Sequence, residues 1–168
     1  MNQMDQEQIA SGQTRTRSAS SADSEQIARL VNAAFGPERF FIDGDRTNPD
    51  KVRALLQKGK FLLAEESGAL VGCVYVELQG ERGYFGLLAV DPTQQRAGLG
   101  SRLIDLAEEY CRRAGCRFMD ITIVNLRTPL FGYYARLGYV ENGTAPFPKE
   151  QHLPKVPCHL VKMVKSLA

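Results

Sequence analysis

Gly98-Leu99-Gly100-Ser101, with Arg96 before it and Arg102 after it, is the stretch whose residue types could do chemistry through backbone alone. The first four N–H groups of a helix have no partner inside it and carry the positive end of the helix dipole. Glycines leave those amides bare, so a phosphate can approach several at once, with Arg96, Ser101 and Arg102 adding donors and charge. The stretch reads as a diphosphate cradle.

The elements that must position it flank it directly. Phe85 to Val90 is an apolar run of strand length, and Asp91-Pro92 stops it. From Leu99 onward the apolar residues Leu99, Leu103, Leu106 and Tyr110 fall at helical spacing, while Arg102, Asp105, Glu108, Glu109, Arg112 and Arg113 occupy the other face. The pattern predicts a strand, a glycine-bearing loop and the start of a half-buried helix.

Three anion cradles share this outline. The phosphate loop of ATPases and GTPases needs a Lys and then Ser or Thr after its last glycine, whereas Gly100 is followed at once by Ser101. A dinucleotide fingerprint places a third glycine where Leu103 stands and starts directly off the strand, but Asp91 to Ala97 intervene, and Asp120 cannot repair that mismatch. The third pattern is Gln-x-x-Gly-x-Gly behind a strand ending Val-x-Pro, met by Gln95, Gly98 and Gly100 behind Val90-Asp91-Pro92. A second block, Tyr134-Ala-Arg-Leu-Gly138-Tyr139, lies after the next strand. In these two ordered motifs the chain resembles the GNAT superfamily of N-acetyltransferases, which bind acetyl-coenzyme A.

The resemblance implies an α/β fold: a mixed, mostly antiparallel central sheet flanked by helices, with splayed central strands forming the coenzyme cleft. It implies acetyl-CoA as co-substrate, with Gln95, Arg96, Ala97, Gly98, Leu99, Gly100 and Ser101 at the diphosphate. Backbone at Leu88, Ala89 and Val90 would hold the pantetheine arm. Tyr134 matches the family tyrosine near the coenzyme sulfur and takes the general-acid role. Glu77, in the strand beside the cofactor strand, is the expected base, ahead of Glu81 in the following turn. Where many members carry an Asn upstream of the tyrosine, this chain has Arg127, read as either a substrate-carboxylate contact or a solvated side chain.

Bulk properties bound the rest. The 168 residues, 43% hydrophobic, suffice for a sizeable core. A net charge of +2 argues neither for nucleic acid nor for an anionic membrane. Cys73, Cys111, Cys116 and Cys158 include no C-x-x-C pair, and His152 and His159 lack metal-ligand spacing, so reduced thiols in cytoplasm and no metal are expected. No apolar stretch approaches the roughly 20 residues that cross a bilayer.

In chain order, residues 1–13 are polar and aperiodic and read as a flexible tail, with residues 14–168 as a single acetyltransferase-like domain. A short strand over Thr14 to Ser20 precedes a helix that ends near Gly36-Pro37. Thr47-Asn48-Pro49 then opens a second helix through Gln57. Between the helices, Glu38 to Asn48 forms a candidate recognition loop containing Phe40, Phe41, Asp43 and Asp45. A hairpin over Phe61 to Leu78 follows, with strands at Tyr84 to Val90 and Phe118 to Val124. Gly86, inside the former, marks a bulge, a close backbone approach or a packing requirement. A helix through Leu137 and a strand beginning at Tyr139 come next, then a proline-rich loop from Asn142 to Pro157 and a last strand from His159.

The function expected is direct transfer of an acetyl or short acyl group from acetyl-CoA to a primary amine of a small molecule or peptide. The alternative is a non-catalytic acyl-CoA sensor of the same fold. Many members of the family pair as homodimers, and no pattern in this chain decides that point.

Overall fold

The computed structural model describes residues 14–94 and 98–168. Its strands are β1 (Arg15–Ser18), β2 (Lys60–Glu66), β3 (Ala69–Gln79), β4 (Arg82–Val90), β5 (Phe118–Val124), β6 (Val140–Pro146) and β7 (His159–Ser166). Its α-helices are α1 (Ser24–Ala34), α2 (Pro49–Leu56), α3 (Leu99–Arg113) and α4 (Thr128–Arg136), with a short 3-10 turn at Gly36–Phe40. The strands form one sheet in the order β1-β2-β3-β4-β5-β7-β6, antiparallel except for the β4–β5 pair. This is the mixed, mostly antiparallel architecture expected.

Alternation along β3 shows how the sheet divides its core. Val74 and Val76 face Leu103, Ile104 and Ala107 of α3, whereas Cys73 and Tyr75 face Ile27 and Val31 of α1 and Val52 of α2. Each of these side chains is almost wholly buried, and a buried Leu or Ile contributes about 1.5–3 kcal/mol relative to its exposed state. Helix α2 begins where expected, with Asn48 Oδ1 accepting from the Lys51 amide at 2.9 Å and Pro49 in the first turn.

Two expectations change. Helix α3 turns its Leu99, Leu103, Ile104, Ala107 and Cys111 inward, and Glu108, assigned to the polar face, is buried with them. Its carboxylate is tolerated because the Tyr139 hydroxyl and the Lys165 ammonium each donate to it at 2.8 Å. Strand β6 extends to Pro146, beyond the expected loop start at Asn142. It lies at the sheet edge, nearly all exposed and held by pairing with β7, so it carries no apolar alternation for a sequence reading to detect.

The β4–β5 pair positions the site. Its register covers Arg82↔Phe118, Gly83↔Met119 and Tyr84↔Asp120 and goes no further. Beyond that point the two strands are not paired.

Candidate active site

Residues of both strands line a cavity of about 590 Å³. Phe85, Leu88 and Val90 of β4 line one wall, Ile121 to Val124 of β5 the other, and Tyr133 and Tyr134 of α4 the floor. Gly98, Gly100 and Ser101 lie at the α3 end, and Glu38, Arg46, Arg127 and His152 line the cavity as well.

Strand β4 reaches this wall through a bulge. Tyr75 pairs with Gly86 and Cys73 with Ala89, so Leu87 and Leu88 together oppose Val74. Leu87 takes the left-handed conformation at φ 47°, which costs a non-glycine residue about 1–2 kcal/mol. Gly86 is fixed by packing next to that bulge: a Cβ there would lie 2.5 Å from the Tyr84 hydroxyl. Gly86 thus neighbours the bulge and lies against the Tyr84 side chain.

At the other end Asp91 stops the strand as expected, its Oδ1 accepting from the Thr93 amide at 2.9 Å and the Thr93 hydroxyl at 2.7 Å. Gly98 caps α3 in the left-handed conformation at φ 75°, which a glycine adopts without a Cβ clash. A Cβ on Gly100 would point toward the Tyr133 hydroxyl at 3.6 Å and Val90 at 3.9 Å, within the cavity wall. The Ser101 and Tyr133 hydroxyls lie 2.8 Å apart.

The expected site residues thus fall into groups. Leu88, Val90, Gly98, Gly100, Ser101 and Tyr134 line one cavity. The Ala89 and Leu99 side chains turn into the two cores, leaving backbone to serve the site. Gln95, Arg96 and Ala97 lie outside the described residues. Glu77 does not line the cavity. Its carboxylate accepts from the Tyr75 hydroxyl at 2.7 Å and the Gln79 amide at 3.1 Å, which hold it below the usual carboxylate range.

Tyr134 is 7% exposed, with its ring among those of Phe85, Tyr133 and Tyr139. Burial, then the neighbouring Tyr133, pushes its phenol above the ordinary tyrosine value against the pull of Arg127. The proton therefore stays on Tyr134 at neutral pH.

The ionic part of the cavity lining was only partly foreseen. Glu38, in the recognition loop, is 8% exposed and accepts from Arg127 Nη1 at 2.9 Å, with Arg46 Nε 3.9 Å away. Arg127 is thus engaged in an ion pair and not left in solvent. Burial raises the Glu38 carboxyl above its usual value despite both guanidinium groups. Phe41, Ile42 and Phe147 pack together beneath this loop, and Lys155 N donates to Phe41 O at 2.7 Å, fixing it against the 154–155 segment. Asp43 is tied to Lys155 at 2.9 Å, and neither it nor Asp45 lines the cavity. Arg46, His152, Tyr84 and Tyr133 went unassigned because their roles rest on long-range contacts. Only the position of Tyr133 beside Tyr134 gave a local hint.

The sheet order and the cavity lined by β4, β5, α3 and α4 describe a mixed α/β domain. The sequence profile of the Acetyltransferase (GNAT) family matches residues 25–139, and the chain belongs to that family. It is similar to a mycothiol acetyltransferase of Amycolatopsis mediterranei, 26% identical over 73% of this chain and 44% of that protein. The chain spans about half the length of the curated relatives it matches. Among solved structures, Ard1 from Thermoplasma volcanium superposes with a TM-score of 0.75 at 17% identity, covering 92% of this chain and 98% of that one. The yncA protein of Salmonella typhimurium, solved with its cofactor acetyl-CoA, gives 0.69 at 20% identity, covering 92% and 94%. Among the described residues no helix is long and apolar enough to cross a membrane.

Proposed function

We propose that this chain transfers an acetyl or short acyl group from acetyl-CoA to a primary amine within a ternary complex. The observation that carries this reading is the cavity itself: one space joins the Gly98–Ser101 helix start, the β4 bulge, Tyr134 and an ionic acceptor end. Gly100 is consistent with the fit, because it lines the cavity in the first turn of α3, where bare backbone leaves the helix amides open to a diphosphate. A Salmonella typhimurium structure of the same fold holds acetyl-CoA.

In the proposed reaction the amine nitrogen attacks the thioester carbonyl carbon, the C–S bond breaks, and the departing thiolate takes a proton. Tyr134 supplies that proton: a phenol is already protonated at neutral pH, and burial keeps this one so. The pantetheine arm would lie along the β4 edge at Leu88, Ala89 and Val90, with Gln95, Arg96 and Ala97 completing the diphosphate cradle. Glu77 receives the amine proton through water. It stands opposite Tyr84 in the β3–β4 register, and Tyr84 lines the cavity while Glu77 does not.

The test is release of CoA thiol against a panel of primary amines. Amine-dependent release at saturating acetyl-CoA is expected. Tight acetyl-CoA binding with no release from any amine would favour the acyl-CoA sensor instead.

A further inference from the structure

We propose that the amine acceptor carries an anionic group, a carboxylate or a phosphate, and that Arg46 receives it. The inference rests on the acetyl-transfer reading and names the substrate class of the same cavity. Besides tyrosines, the ionisable side chains lining the cavity among the described residues are Glu38, Arg46, Arg127 and His152. One carboxylate thus faces two guanidinium groups.

The carboxylate hydrogen-bonds one of them and pairs more loosely with the other. Arg127 donates to Glu38 Oε2 at 2.9 Å, within hydrogen-bond range, while Arg46 Nε stands 3.9 Å from Oε1, beyond it. His152 adds no compensating charge: burial, Arg46 and Lys51 hold its imidazole neutral, and its Nε2 lies 3.5 Å from Arg46 Nη1. Asp43 is occupied by Lys155, and Asp45 is exposed away from the cavity lining. Two guanidinium groups against one carboxylate leave a net positive charge, and Arg46 is the one of the two that makes no hydrogen bond to Glu38.

That charge is held in place without any ligand. The Arg46 guanidinium stacks over the Phe35 ring at 5.4 Å. The adjacent Thr47 backbone is clamped to α1 through Asn32, whose amide bonds it in both directions at 3.0 and 3.1 Å. Arg46 is 32% exposed, so one side of its fork can still meet a solute. A simple alkylammonium would meet net repulsion here, whereas an amine bearing an anion pairs with Arg46. The same cationic surroundings favour the neutral, nucleophilic form of its nitrogen.

The experiment compares matched acceptors by CoA release: phenylalanine with phenylalaninamide, and phosphoethanolamine with ethanolamine. At least one anionic member should exceed its partner by about tenfold in kcat/KM, carried by KM. Which pair shows it distinguishes carboxylate from phosphate. Arg46→Gln should bring that preference below about threefold and Arg46→Lys should restore part of it. Release with no preference in either pair overturns the anion inference and leaves acetyl transfer standing. Release from no amine contradicts acetyl transfer, and inorganic phosphate then decides the inference through the His152 ring signals in NMR. Signals that shift in the native chain and not in Arg46→Gln uphold it; signals that do not move, or move equally in both, overturn it.

Discussion

The hydroxyls of Ser101 and Tyr133, 2.8 Å apart, join the first turn of α3 to the middle of α4 across the cavity. Gly100 sits beside that contact, its Cβ position facing the same Tyr133 hydroxyl. Tyr133→Phe keeps the ring and removes the bond, a loss of about 0.5–1.5 kcal/mol for a neutral hydrogen bond. The expected result is an acetyl-CoA Kd raised by about fivefold with kcat little changed, measured by calorimetric titration and steady-state kinetics.

Tyr134→Phe tests the proposed acid apart from coenzyme binding. Turnover should fall by about 100-fold, the scale of a lost general acid, while acetyl-CoA affinity stays within about twofold. Because burial lifts the Tyr134 phenol above its free value, the group keeps its proton to higher pH than a free tyrosine. Its contribution to kcat should therefore hold level through about pH 9, below the free value of about 10. A pH–rate profile falling between pH 7 and 9 through loss of this proton would contradict the role.

Glu77 is tested by its acidic limb. Tyr75 and Gln79 hold its carboxyl low, so it stays ionised as pH falls below the usual carboxylate range and protonates only below that. Glu77→Gln should lower kcat/KM and remove that limb from the profile. An unchanged limb would remove Glu77 from the proposed mechanism.

Glu108 governs stability without touching the cavity lining. Glu108→Ala would leave the Lys165 ammonium and the Tyr139 hydroxyl without their buried acceptor, a change that costs about 3–5 kcal/mol for a broken buried pair. Thermal denaturation should show a midpoint lowered by about 10 °C.

Much of this arrangement was legible because it is written in local patterns. Gly98 must cap α3 at φ 75°, and Asp91-Pro92 must stop β4, so the cradle announces itself over a few adjacent residues. The acceptor end does not. Arg127 meets Glu38 across 89 positions and Arg46 meets His152 across 106, so no spacing along the chain signals either contact. Glu108 was misplaced for a related reason: its partners Tyr139 and Lys165 come from β6 and β7 territory, and nothing near Glu108 reveals them. Strand β6 was cut short because an exposed edge strand is held by backbone pairing and not by an apolar face.

The most direct test of the account is calorimetric titration of acetyl-CoA into the native chain and into Gly100→Val, whose side chain would fill the wall between Tyr133 and Val90. The account predicts saturable one-to-one binding by the native chain and a Kd raised by at least about tenfold in the variant, with its fold unchanged by circular dichroism. No binding by the native chain, or equal binding by both, would contradict a coenzyme cradle at Gly98 to Ser101.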